Sequence, residues 1–281
     1  MKSDRIAARS ATVRIPVAMT IAGSDPSGGA GLQADLKTFA AVKVYGLSVL
    51  TAVIAQNSVR MSRLQAVAPE MVAAQLEAVV AEGTPDALKI GALATGAIAR
   101  VVAKSIDTLG LPAPVLDPVL VASSGRRLLQ PAGESILRSQ LIPRAAVVTP
   151  NIPEAETLSG IEINGMSAMR QAARVLYKLG PRCVLIKGGH WPLLVEAPRT
   201  AVRAIDLFFD GRRYIEFAAP RISGTGAHGT GCALSAAIAA WLARGADLET
   251  AIMHAKRFIT RALNGRLLLG TGRCVLDHFA H

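Results

Sequence analysis

Short apolar runs that stop abruptly at polar or glycine-rich residues recur along this chain. Residues 18–23 (AMTIAG) run into the glycine loop 23–31 (GSDPSGGAG), and a helix is predicted over about 32–42. The β-branched-rich run 46–54 reads as one strand that stops at Gln56–Asn57. Pro69 opens a helix whose Met71, Leu76, Val79 and Val80 approximate helical spacing. Residues 87–90 form the next strand, closed by Gly91, and a helix follows over about 95–109. Val115–Leu116 leads to Asp117–Pro118, residues 145–148 to Thr149–Pro150–Asn151, and residues 183–186 to Lys187–Gly188–Gly189. Residues 204–209 and 213–217 flank Asp210–Gly211, a hairpin signal, and two helices over about 230–244 and 248–264 close the pattern.

Strand, polar end, helix, repeated in this way, predicts an α/β fold with a mostly parallel sheet whose ligands bind beyond the carboxyl ends of the strands. No internal repeat, low-complexity segment or linker interrupts it. The expectation is a single domain over residues 15–281 behind a short basic tail, residues 1–14.

The stretch 223–240 (SGTGAHGTGCALSAAIAA) stands out from this pattern. Gly229, Thr230 and Gly231 lead into Cys232 and then into an Ala-rich helix. A glycine-rich turn at a helix start presents unpaired backbone N–H groups and a partial positive charge, which suits phosphate. The same field favours a thiolate at Cys232. Two other readings stay open on this stretch alone. Gly224, Gly226 and Gly229 fit G-x-G-x-x-G, but the acids that follow, Asp247 and Glu249, stand at a helix start and not at a strand end. A plain structural turn before a core helix, with Cys232 as a small buried residue, also fits.

Composition narrows the classes. A hydrophobic content of 51% supplies a sizeable core, and no apolar run is long enough for a membrane span. Residues 1–14 are basic without an apolar core segment, so they read as a surface tail and not as a signal peptide. The net charge of +11 is scattered, with pairs such as Arg126–Arg127 but no basic tract, which argues against nucleic acid and for a small anionic ligand. Three widely spaced cysteines, Cys183, Cys232 and Cys274, predict a reducing, cytoplasmic setting without disulfides or structural zinc.

Several polar residues at strand ends carry two readings. Asn151-x-x-Glu154 is a helix-capping pattern, and its acid also suits Mg²⁺ with the waters around a nucleotide. Asp117 is either a turn residue or a metal-facing acid. Lys187 is either a solvated lysine or a phosphate ligand. His190 and His228 have no ligand-type residues at metal spacing and receive no role.

GSDPSGGAGLQADLKTF, AQNS, KIGAL, LDPVLVASSG, TPNIPEAE, LIKGGH and AHGTGCALSAA, in that order, resemble the motifs of the hydroxymethylpyrimidine and phosphomethylpyrimidine kinases of thiamine biosynthesis, in the ribokinase superfamily. The resemblance runs from about Ile15 to the closing helices. It implies a three-layer α/β/α sandwich, a homodimer, and transfer of the ATP γ-phosphoryl to a primary hydroxyl on a pyrimidine. Carried over motif by motif, it makes Gly229–Thr230–Gly231–Cys232 the anion hole, with Cys232 where most superfamily sugar kinases have an aspartate base. It sets Gln56 on the pyrimidine edge, with Gly23, Ala30 and Asp35 beside it and Ile54 and Val119 as apolar walls. Asp117, Asn151 and Glu154 would arrange Mg²⁺, while Lys187 and Lys256 would neutralise phosphates.

The chain departs from the family pattern at Ala92, Ser123 and Ala227, where many members have Met, Lys and Thr. A smaller side chain at Ala92 would enlarge the ring pocket. The rival reading is therefore a pyridoxal or pyridoxine kinase on the same scaffold. A reading from another class is a catalytically silent ligand-binding relative, against which Glu154, Lys187 and Gly229–Cys232 speak.

Overall fold

A computed structural model describes residues 14–122, 125–189, 203–222, 227–270 and 273–280. The tail before Arg14, and with it Ser123, His190, Gly224 and Gly226, lies outside the described residues.

The chain begins with β1 (Val17–Ala22), α1 (Gly31–Ala41), β2 (Tyr45–Leu50), β3 (Ala52–Gln56), β4 (Met61–Ala66), α2 (Pro69–Val80), β5 (Ala87–Ile90) and α3 (Gly96–Thr108). It continues through β6 (Val115–Leu116), α4 (Pro131–Ile136), β7 (Val147–Val148), α5 (Ile152–Ser159), α6 (Met166–Tyr177) and β8 (Val184–Ile186). The last elements are β9 (Arg203–Phe209), β10 (Tyr214–Pro220), α7 (Thr230–Ala243), α8 (Leu248–Asn264), β11 (Leu267–Leu268) and β12 (Cys274–Val275). Eight strands form the main sheet in the order β10-β9-β8-β7-β6-β5-β1-β2. Pairing is parallel from β2 through β8, and β9 and β10 add an antiparallel hairpin at one edge.

Alternation along the strands sorts side chains to two cores. Met19, Ile21, Leu88, Ile90, Leu116, Val148, Val184 and Ile186 pack with helices α2, α3, α5 and α6. Ala18, Ala87, Val115, Val147, Leu185 and Phe208 face α1, α7 and α8. This is a three-layer α/β/α sandwich. Helix α7 is the apolar centre of its layer: Ala233, Leu234 and residues 236–240 are all buried, as befits a helix without a polar face.

One predicted strand is two. The run 46–54 breaks at Thr51, which is fully buried and donates its hydroxyl hydrogen bond to the Ala92 carbonyl at 2.6 Å. Beyond it the chain leaves the main sheet, and β3 pairs antiparallel with β4 as a separate ribbon.

Candidate active site

The carboxyl ends of β1, β5, β6, β7 and β8 meet the start of α7 around a cavity of about 340 Å³. Its ring-sized end is lined by Gly23, Ala30, Ile54, Gln56, Ala92, Val119, Ala122 and Leu128. Gly23 is fitted by space: a Cβ there would stand 3.1 Å from the Ile54 Cδ1 atom. Ile54 is held in turn by its N–H, which donates to the Ser24 hydroxyl at 3.0 Å. Gln56 reaches the cavity from the ribbon, and its amide has no protein partner among the described residues.

The other end is built from backbone and charge. Gly229 caps α7 with φ of 84°, and a Cβ there would collide with the Gly29 carbonyl oxygen, so both conformation and space require glycine. No side chain caps this helix start, which leaves the first N–H groups of Thr230, Gly231 and Cys232 directed at the cavity. The Lys187 Nζ atom would lie only 3.2 Å from a Cβ on Gly231 and donates to Asp117 Oδ1 at 2.6 Å. Ser235 of α7 donates to the other Asp117 oxygen at 3.3 Å. Burial alone would lower the Lys187 ammonium, but Asp117 and then Glu154 outweigh it and hold it charged.

The capping pattern of Asn151-x-x-Glu154 forms as expected, and its residues also face the cavity. The Asn151 side chain accepts from the Glu154 N–H at 2.9 Å, Glu154 Oε2 accepts from the Asn151 N–H at 2.9 Å, and both residues line the cavity. Burial, opposed by Lys187 and reinforced by Asp117, pushes the Glu154 carboxyl up to about 7. A buried acid whose charge a neighbouring carboxylate disfavours suits a dication that keeps its waters and takes its remaining ligands from phosphate. Among the described residues no group of three or more His, Cys, Asp and Glu forms a protein-only cage.

Cys232 lines the cavity, yet its surroundings do not favour thiolate as the helix start alone suggested. Burial pushes the thiol up to about 11, outweighing the attraction of Lys89. The group is a neutral thiol at neutral pH.

Lys256 also lines the cavity and pairs with Asp206, whose other oxygen accepts from the Gly188 N–H at 2.9 Å. Asp35 is not among the lining residues. It is fully buried beneath the site, where Thr20 donates to its Oδ2 at 2.6 Å and Lys89 to the same atom at 2.7 Å. Sequence reading passed over Lys89, whose signal was a lone charge inside the apolar strand ALKI. It also gave no role to Asp25 and His228, which the fold buries together with Nε2 and Oδ2 3.0 Å apart.

A cavity that joins a small apolar slot to a glycine anion site flanked by buried Lys–acid pairs is equipped for phosphoryl transfer to a small ring compound. The comparisons with known proteins agree. The sequence profile of the phosphomethylpyrimidine kinase family matches residues 25–277. The chain is 42% identical over 265 residues to the hydroxymethylpyrimidine/phosphomethylpyrimidine kinase of Synechococcus elongatus, covering 94% of this chain and 98% of that one. It is 44% identical to the thiamine biosynthesis bifunctional protein ThiED of Geobacter sulfurreducens, over 92% of this chain and 51% of that protein, so it spans about half of this longer relative. Among solved structures it resembles the ADP complex of Bacillus subtilis pyridoxal kinase, with a TM-score of 0.85 and 37% identity over 95% of this chain and 98% of that one. The protein is a small-molecule phosphotransferase, and the chain belongs to the phosphomethylpyrimidine kinase family.

Proposed function

We propose that this chain transfers the γ-phosphoryl of ATP to the hydroxymethyl oxygen of 4-amino-5-hydroxymethyl-2-methylpyrimidine, and then a second phosphoryl to the monophosphate. The observation that carries this reading is the union, in one cavity, of Gln56 among apolar walls and the Gly229–Cys232 turn beside Lys187. A neutral amide offers a donor pair and an acceptor, which match a ring nitrogen beside an exocyclic amino group. Gly23, Ala30, Ile54 and Val119 confine the ring, and Asp35 supports Lys89 from below.

At the other end the N–H groups of residues 229–232 hold the migrating phosphoryl, and Lys187 and Lys256 take up phosphate charge. Glu154 and Asp117, with Asn151 bracing Glu154, would hold Mg²⁺, which supplies charge neutralisation between the phosphates when bound. The alcohol oxygen bonds to phosphorus as the bond to the ADP oxygen breaks, and the alcohol proton leaves to phosphate or solvent. A loose transition state of this kind needs little basic assistance, so a neutral Cys232 is compatible with it.

No helix among the described residues is long and apolar enough to cross a membrane. The same reading includes a cytoplasmic homodimer, which light scattering would test.

The deciding experiment is a side-by-side kinase assay with the hydroxymethylpyrimidine, its monophosphate and pyridoxal. Higher kcat/KM for the pyrimidine, with both steps performed, is expected. Faster turnover of pyridoxal would replace this reading with the rival one, for which the small side chain of Ala92 in the ring wall is the specific observation.

A further inference from the structure

Asp25 and His228 stand 203 residues apart in sequence and meet at the edge of the cavity, which His228 lines and behind which Asp25 is buried. Asp25 is fully buried, and its carboxylate collects four donors. Oδ1 accepts from the Ser27 N–H at 3.0 Å and the Ser27 hydroxyl at 2.7 Å, and Oδ2 accepts from the Ala30 N–H at 2.7 Å. The fourth contact is the His228 Nε2 atom. Burial alone would raise the Asp25 carboxyl, but the hydrogen bonds from His228 and Ser27 hold it at about 2, so the group is ionised. A carboxylate can only accept here, which assigns the proton to Nε2.

The two partners depend on this contact unequally. Without His228, Asp25 keeps three donors from its own loop. His228 has no such reserve: its Nδ1 atom is buried and has no hydrogen-bond partner among the described residues. Among the described residues the Asp25 carboxylate is therefore the ring's only hydrogen-bond partner, and the contact does more for the helix-start turn than for the first loop.

The neighbours of the pair belong to both halves of the site. Ala30, whose N–H shares Oδ2 with His228, lines the ring end. Gly229, next to His228, packs on the carbonyl of Gly29 and begins the anion turn. A Cβ on Gly29 would stand 2.9 Å from both His228 Cδ2 and Val275 Cγ1. The His228 N–H donates to the Cys274 carbonyl at 2.8 Å, so the last strand backs the joint.

We propose that the Asp25–His228 pair is a positioning device for phosphoryl transfer, locking the ring-binding glycine loop to the Gly229–Cys232 turn so that filling one aligns the other. His228 is a positioning residue that acts through the backbone of the turn. This rests on the phosphotransferase reading but not on the choice of ring.

The test uses the full-length enzyme and whichever ring alcohol the wild type phosphorylates faster, so a wrong choice of ring appears in the wild type alone. His228→Gln keeps an amide N–H near the Nε2 position, while His228→Leu removes it and His228→Asn falls short. Misalignment of reacting groups predicts that His228→Leu lowers kcat about 10- to 100-fold. Calorimetry would measure each Kd separately, with a non-hydrolysable ATP analogue and Mg²⁺ as the nucleotide probe. Each should stay within about threefold of wild type, because in this role the Asp25–His228 contact aligns the two loops and holds neither ligand. Bound ring alcohol should tighten the analogue about fivefold or more in wild type, and the ratio should fall to near one in His228→Leu. His228→Gln should recover most of kcat. Weaker separate binding with kcat and the ratio unchanged would overturn the proposal and leave an ordinary structural contact. If the leucine variant does not fold, the glutamine and asparagine variants decide: a kcat about tenfold lower for asparagine supports the proposal, and equal values overturn it.

Discussion

The two ends of the cavity are built on different principles. The ring end is a slot of small and aliphatic side chains, contributed by the β3–β4 ribbon and by the turns after β1, β5 and β6, with one amide in it. The phosphoryl end is made of backbone N–H groups and lysines that already face carboxylates: Lys187 with Asp117, and Lys256 with Asp206. Volume specifies the first end, whereas charge balance and backbone position specify the second. Relatives with one phosphoryl end can therefore differ in the ring they accept, and the likeness to both pyrimidine and pyridoxal kinases is what such a division leads to.

Substitutions at the two ends should separate the contrast. The largest effect is expected from Gly231→Val. A Cβ there already stands at 3.2 Å from the Lys187 Nζ atom, so a branched side chain would crowd the proposed phosphoryl site. Blocking access to such donors predicts a fall in kcat of about 10³-fold for every acceptor alike, by steady-state kinetics. A loss confined to one ring would show that the turn also reads the acceptor.

Glu154→Gln should lower turnover about 10²-fold and raise the Mg²⁺ concentration needed for half-maximal rate. Its thermal stability should change little, because the amide oxygen can still accept from the Asn151 N–H and losing the cap altogether costs only about 0.5–2 kcal/mol. Wild-type kinetics at all Mg²⁺ concentrations would leave Glu154 as a helix cap only.

Cys232→Ala is expected to reduce kcat by about 10²-fold or less, the low end for general-base assistance. The pH dependence follows from the sign of the shift. A thiol raised to about 11 in the folded protein is neutral through pH 9 in the native state, so any contribution as a base must grow with pH across this range. The neutral thiol also favours the folded state, a contribution present below its unfolded pKa and lost as pH rises through about 11. A wild-type to alanine kcat ratio that stays constant from pH 7 to 9 would remove Cys232 as a base.

The smallest effects belong to the ring end. Gln56→Leu should erase much of the preference for the pyrimidine over pyridoxal, a change of roughly 5- to 150-fold in relative kcat/KM. Ala92→Met should disfavour the larger ring about tenfold with turnover of the smaller one nearly unchanged, the low end of the roughly 10- to 200-fold that a methylene decides in an apolar pocket.

Much of this was legible because parallel strands in an α/β fold end where their polar residues begin. Asp117, Asn151 and Lys187 each follow a short apolar run, and the sheet brings these run ends together. The Asp210–Gly211 hairpin was equally plain. What stayed hidden lacked a local signature. Residues 46–54 are mostly apolar and strand-forming, and a single threonine is common inside a strand, so periodicity could not mark Thr51 as the point where the chain leaves the sheet. The strand β4 (MSRLQA) is half-exposed without clean alternation, and its partner defines it. Asp35 and Lys89 lie 54 residues apart, so their pairing, which buries Asp35 behind the cavity-lining lysine, is a product of the tertiary fold. The thiol field at Cys232 was misjudged because a helix start argues for thiolate, while burial, which sequence does not reveal, argues more strongly against it.

The pairing of Lys187 with Asp117, and of Lys256 with Asp206, bears on how fast the enzyme lets go of its product. A phosphate that reaches either lysine takes up an ammonium already satisfied by a carboxylate, so it gains only the difference between two anionic partners. When ADP departs, the aspartate returns to the same lysine and no buried charge is left bare. In the proposed roles, the lysines would guide phosphate in and out without holding it, and turnover would not wait on the escape of a tightly bound anion.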